Sequence, residues 1–139
     1  MIISIVNQKG GIGKTTSVMN LGWALISKKK KVLMIDFDPQ HSLTIAMDLE
    51  PELMKHTIYD VLNGLDVRKA TLTDNKYFYF IPADINLAGA EIDLLGKQNT
   101  LYNVINALRN DFDFILIDCP PALGNLSINA LCASDRVII

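Results

Sequence analysis

Residues Asn7 to Thr16 read NQKGGIGKTT, and they follow the apolar run Ile2–Val6 directly. A segment with helical spacing begins near Lys14, so the order is strand, glycine turn, helix. Gly10, Gly11 and Gly13 let the backbone turn tightly and bring several N–H groups toward one point. Those donors, together with the positive end of the helix dipole, form a concave site for an anion. The common phosphate-binding loop reads G-x-x-x-x-G-K-[ST]. Gly13, Lys14 and Thr15 fit its end, but its first glycine is replaced by Gln8, and a second lysine, Lys9, stands at the mouth of the turn. Lys14 offers a charge to β- and γ-phosphates, and the Thr15 hydroxyl is placed to ligate Mg²⁺.

Working outward, two further runs share the β-branched richness of strands buried on both faces of a parallel sheet, Val32–Ile35 and Phe114–Ile117. YFYFIPA from Tyr77 and the terminal RVII read as strands as well. The closing DRVII reads as a buried strand, and further sequence is expected after Ile139. Between the strands, TTSVMNLGWALISKK places Val18, Leu21, Trp23, Leu25 and Ile26 largely on one side, with Gly22 weakening the helix. NTLYNVINALRN repeats apolar residues at Leu101, Val104, Ile105 and Leu108, and TIYDVLNG reads as a short helix closed by Gly64. Alternating strands and helices imply right-handed βαβ units, and ligands of such sheets bind outside the carboxyl ends of the strands.

At those carboxyl ends the chain places acids. VLMIDFDPQ closes its apolar stretch with Asp36 and then Asp38, and FILIDCPP closes with Asp118. A carboxylate there, beside a phosphate loop, can hold Mg²⁺ through water. Asp38 projects to the same side as Asp36 if the pleat continues. One of the two could then tie to the metal shell while the other polarises an attacking water. A lone aspartate at a strand end is an ordinary cap; three at matching ends beside a glycine loop call for a shared charge.

Composition bounds the class. The 139 residues carry 13 Lys and Arg against 15 Asp and Glu, with half the chain hydrophobic and no obvious repeat. That is a single globular α/β domain, residues 1–139, and not a globally basic DNA-coating protein. The apolar N-terminal run is too short to span a membrane and has no basic segment before it. Cys119 and Cys132 have neither metal spacing nor disulfide density, which suits a reduced, cytoplasmic protein.

Taken together, KGGIGKTT, VLMIDFDPQ and FILIDCPP resemble the ParA/Soj branch of the deviant Walker A ATPases, as does IPADINLAGAEIDLL. The resemblance runs over nearly all of the chain. It implies a P-loop NTPase fold, a mostly parallel sheet flanked by helices and ending after a fifth strand, in the N-terminal portion of the family domain. It implies ATP and Mg²⁺ as ligands, with Lys9, Gly10, Gly11, Ile12, Gly13, Lys14, Thr15 and Thr16 holding the nucleotide. Lys14 becomes the phosphate-loop lysine, and Lys9 the signature lysine that reaches a partner subunit's phosphates. Asp38 matches the residue that positions the hydrolytic water, while Thr15, Asp36 and Asp118 match the magnesium environment. Residues Cys119 to Asn125, CPPALGN, stand where the family has its switch II loop. The function so implied is an ATP-driven dimerisation switch in chromosome or plasmid partitioning. Its partners would be a second copy, a ParB-like activator and non-specific DNA, much of whose binding surface the family carries after position 139.

Other classes make different demands. A MinD-like membrane regulator needs a C-terminal amphipathic helix, and an iron–sulfur reductase needs a cysteine constellation. An inert fragment would self-associate through an open sheet edge. The GTPase base-reading pattern N-K-x-D is absent, since NKYF at Asn75 lacks its aspartate. His41 and His56 read as surface or loop residues, Lys28 to Lys31 as a solvated helix end, and Trp23 as core or interface.

Overall fold

A computed structural model describes residues 1–139. The strands are β1 Ile2–Ile5, β2 Val32–Asp36, β3 Leu72–Thr73, β4 Phe78–Ile81, β5 Phe114–Asp118 and β6 Arg136–Ile138. The helices are α1 Lys14–Ser27, α2 Ser42–Ala46, α3 Ile58–Leu62, α4 Val67–Ala70, α5 Ala90–Asp93, α6 Thr100–Ile105 and α7 Asn125–Ala133. One sheet runs in the order β3-β4-β2-β5-β1-β6, parallel throughout except for the antiparallel pair β3 and β4. The fold is the mostly parallel, helix-flanked sheet that the sequence implied.

The central strands β2 and β5 are buried because both faces are covered. Val32 and Met34 point to one side, where they pack with Ile5, Val18, Leu43 and Phe80 beneath α1 and α2. Leu33, Ile35, Ile115 and Ile117 point to the other, into the larger core beneath α3 to α7. This period-two division explains why the runs read as continuously apolar in the sequence. Register then aligns the carboxyl ends: Asp36 lies opposite Asp118 across β2 and β5, and Ile5 opposite Asp118 across β1 and β5.

Three expectations are corrected. The sheet has six strands where five were expected, because Leu72–Thr73 adds a two-residue antiparallel edge too short to show periodicity. The terminal strand is not buried: β6 has β1 as its only neighbour, and Val137 and Ile138 are more than a third exposed. The helix at NTLYNVINALRN keeps α geometry only to Ile105 and tightens to a 3₁₀ turn over Asn106–Leu108, with Leu101, Ile105 and Leu108 buried as the spacing required. The helix at TIYDVLNG is present, its start fixed by a reciprocal Thr57–Asp60 capping box.

On α1 the buried residues are Val18 and Gly22, with Leu21, Leu25 and Ile26 partly buried against the same core. Trp23 is 41% exposed and stacks on Phe78, ring centroids 4.9 Å apart. Of the lysine run, Lys28 to Lys30 are exposed, whereas the Lys31 ammonium sits over the rings of Tyr79 and Phe112 at 4.9 and 5.0 Å. Gly22 is there for space. A Cβ on it would lie 2.0 Å from Met34 Cε and 2.8 Å from Sδ, inside a fully buried layer. Gly22→Val should therefore cost about 1–3 kcal/mol through overpacking. Combining it with Met34→Ala should recover part of that loss, as read by urea unfolding of the single and double variants.

Candidate phosphate-binding site

The loop between β1 and α1 turns on two glycines in the left-handed region, Gly11 at φ 70° and Gly13 at φ 95°. A residue with a side chain is strained in that conformation, so both positions demand glycine. Gly13 caps α1 without any side-chain hydrogen bond, and no acidic residue occupies the first turn of the helix. The positive end of a fourteen-residue helix is thus left open to an anion. The loop, the start of α1 and the segment after β2 enclose a cavity of about 370 Å³. Its lining includes Gly10, Gly13, Lys14, Thr15, Asp38 and Gln40, with no hydrophobic side chain. A larger apolar groove of about 400 Å³, lined by Val6, Leu123, Leu131 and Val137 among others, lies toward β6 and carries none of this chemistry.

The lysines behave differently from each other. Lys14 reaches back across the loop, its Nζ donating to the Lys9 carbonyl at 3.4 Å. Lys9 is exposed; its backbone N–H donates to Asn7 Oδ1 at 2.9 Å, but its ammonium makes no hydrogen bond or ion pair within the chain. Ile12 is 44% exposed at the loop tip, and Thr16 lines the cavity.

Thr15 Oγ1 donates to Asp118 Oδ2 at 2.7 Å, joining the start of α1 to the end of β5. Asp118 is almost fully buried, and its Oδ1 has no hydrogen-bond partner. Burial first, then the charges of Asp36 and Asp38, push its carboxyl up to about 7 despite the Thr15 bond and Lys14. Asp36 is raised to about 6, again chiefly by burial, with its hydrogen bonds opposing. Both Asp36 oxygens are engaged by protein donors: Oδ1 accepts from the Asp38 N–H, and Oδ2 from the N–H and hydroxyl of Thr44. Asp38 lines the cavity; its Oδ1 accepts from the Gln40 N–H at 2.9 Å, and its Oδ2 accepts nothing from the chain.

These residues fit a Mg²⁺–triphosphate group. An orphaned carboxylate oxygen beside a threonine hydroxyl, under a glycine loop and a helix N-terminus, is a donor set that wants a hard cation and an anion together. No group of three His, Cys, Asp or Glu is arranged to cage a metal by protein ligands alone. His41 Nδ1 lies 3.0 Å from the Pro39 carbonyl oxygen, and His56 is half-buried. Cys119 is buried and its thiol pushed up to about 12 by burial, so it is inert; Cys132 is exposed.

Sequence reasoning missed Thr44, and also Glu91. The Glu91 carboxylate accepts from the N–H groups of Asn125 (2.6 Å) and Leu126 (3.3 Å) at the start of α7. A Cβ on Gly124 would fall 2.5 Å from that carboxylate, so a side chain there would have to push the Glu91 carboxylate off the start of α7. Neither contact has a local sequence signal, because the partners are 34 and 35 residues apart in the chain.

A glycine loop between a parallel strand and a helix, with acids on the neighbouring strand ends, defines a P-loop nucleoside-triphosphatase fold. The family model described as "AAA domain" matches residues 1–139, and the chain belongs to that family. Within it the chain is of the ParA/Soj type. It is 45% identical over 145 residues to the sporulation initiation inhibitor protein Soj of Bacillus subtilis, covering 99% of this chain and 56% of that one. It is 39% identical over 143 residues to the chromosome partitioning protein ParA of Myxococcus xanthus, covering 99% of this chain and 50% of that one. Among solved structures it superposes, with a TM-score of 0.93 and 38% identity, on a Mycobacterium smegmatis protein named cobyrinic acid a,c-diamide synthase, solved with a bound ATP analogue and magnesium. That match covers 98% of this chain and 57% of the other. The chain spans about half the length of the curated relatives it matches.

The raised carboxyls make a stability prediction with a definite sign. Asp36 and Asp118 take up protons on folding between about pH 4 and their folded values of about 6 and 7. Stability of the cation-free protein therefore falls as pH rises through that window. Asp118→Asn should flatten the fall between pH 5 and 8 and raise stability at pH 8 by on the order of a few kcal/mol, measured by urea unfolding in chelator.

Proposed function

We propose that this chain is the nucleotide-binding portion of an ATP-binding and ATP-hydrolysing dimerisation switch acting in chromosome or plasmid partitioning. The observation that carries the reading is the division of labour between the two loop lysines. Lys14 crosses its own loop, while Lys9 presents an exposed ammonium with no partner in the chain. Two cations on one triphosphate of the same subunit would be redundant. A cation delivered to a second subunit stabilises charge only in the assembled pair, as an arginine finger does. Partition names on relatives at 45% and 39% identity support the same reading.

In this reading the N–H groups of Gly10 to Thr16 and the Lys14 ammonium bind and orient the β- and γ-phosphates. Thr15 and Asp118 would hold the Mg²⁺, which supplies charge neutralisation on the phosphate oxygens. Asp36 adds charge to that environment with both of its oxygens already engaged by protein donors. Asp38 orients the attacking water through Oδ2 and accepts its proton as the water oxygen bonds to the γ-phosphorus and the bond to the leaving ADP oxygen breaks. The segment Cys119–Asn125, pinned at one end by Asp118 and at the other by Glu91, responds to the γ-phosphate as a switch. A second copy, a ParB-like activator and non-specific DNA are the proposed partners, and the cytoplasm the proposed compartment. No helix is long and apolar enough to cross a membrane.

Lys9→Ala should leave ATP affinity within about threefold yet abolish ATP-dependent dimerisation and lower turnover on the order of a thousandfold. Lys14→Ala should lose ATP binding itself. Sedimentation with and without nucleotide, alongside phosphate release, separates the two; wild-type turnover by the Lys9 variant would refute the reading.

A further inference from the structure

The turn that carries Asp38 is held from below. Asp36 is fully buried, and its Oδ1 accepts the Asp38 N–H at 3.2 Å. Its Oδ2 accepts the N–H of Thr44 at 2.8 Å and the hydroxyl of Thr44 at 2.7 Å. Thr44, on α2, is itself fully buried, and its Oγ1 accepts the Ala83 N–H at 3.0 Å. An amide can only donate, so the single hydroxyl proton of Thr44 must point at Asp36. A group that elsewhere rotates freely is fixed in one orientation by its two neighbours.

The resulting chain of bonds joins three elements through buried polar groups. It runs from the Ala83 amide just past β4, through the Thr44 hydroxyl on α2 and the Asp36 carboxylate at the end of β2, to the Asp38 amide. Buried chains of this kind are rigid when every member is satisfied, and each member of this one is. Asp38 receives the benefit: its backbone is tied to Asp36 and one of its oxygens to Gln40, leaving one oxygen for chemistry. Thr44 does not line the phosphate cavity.

We propose that Thr44 is a positioning residue for hydrolysis, its hydroxyl fixing the Asp36 carboxylate and thereby the placement of Asp38 over the reacting phosphate. The inference rests on the reading of Asp38 as the residue that orients water. It gives a role to the start of IPADINLAGAEIDLL, whose Ala83 amide supplies the outer end of the chain of bonds. Small misplacements of a reacting group cost up to about a hundredfold in rate while leaving distant binding contacts intact. The signature is a loss in kcat without a loss in affinity.

The test compares Thr44→Val, which removes the hydroxyl at nearly constant volume, with Thr44→Ser, which keeps it. In the full chain, Thr44→Val should bind ATP within about twofold of wild type and hydrolyse it on the order of ten- to a hundredfold more slowly, and Thr44→Ser should return kcat to within about threefold. Hydrogen exchange at the Asp38 amide supplies a readout independent of catalysis: protection should drop in Thr44→Val and persist in Thr44→Ser. Should Thr44→Val fail to fold, Thr44→Cys, with its weak donor and acceptor, takes its place with the same expectations. Unchanged Asp38 protection, or a wild-type kcat in a variant that is merely less stable, overturns the proposal. Loss of protection in a protein whose wild type does not cleave ATP would instead refute the hydrolytic reading on which it stands.

Discussion

The hydrogen bond from Thr15 to Asp118 is the contact on which the rest of the site depends. It spans 103 residues of sequence at 2.7 Å and joins the first turn after the glycine loop to the end of a central strand. Parallel register then sets Asp36 opposite Asp118 and Ile5 beside it, so two buried carboxyls and the glycine loop share one sheet edge. The chain cannot neutralise that edge by itself: one Asp118 oxygen is buried without a partner, and both carboxyls are pushed up toward neutrality. Negative charge crowded under an open helix N-terminus calls for a cation that carries its own anion. A metal-bound triphosphate has that composition.

The same crowding sets stability against function. Buried carboxyls raised by desolvation weaken the free fold at neutral pH, and a ligand that satisfies them returns that stability on binding. Where the fold can satisfy a carboxylate internally it engages both oxygens. Asp36 takes three protein hydrogen bonds and becomes part of the framework, while Asp118 takes one and remains available. Two aspartates at equivalent strand ends thus have unlike parts to play, a distinction set by Thr44 and absent from their spacing.

Much of this was legible in the residues. β1, β2 and β5 read as buried strands because both faces are covered, and Gly11 and Gly13 announced a turn because only glycine holds those angles comfortably. The three acids stood out by their place at the ends of apolar runs. What could not be read depends on distant contacts. α2, α4, α5 and α7 are short and held by tertiary packing; α7, for example, starts on a glutamate 34 residues upstream. Thr44 carries no pattern linking it to Asp36 or Ala83. β6 misled because three apolar residues look alike at an edge and in a core.

We infer that Thr15 and Asp118 form a cation-dependent triphosphate site at the carboxyl edge of the sheet. Calorimetric titration of ATP into the protein, with Mg²⁺ and with chelator, addresses it most directly. Mg²⁺ should tighten ATP binding by at least about tenfold in the wild type, and Thr15→Val should remove most of that gain. Equal ATP affinity with and without Mg²⁺ in the wild type would contradict the account.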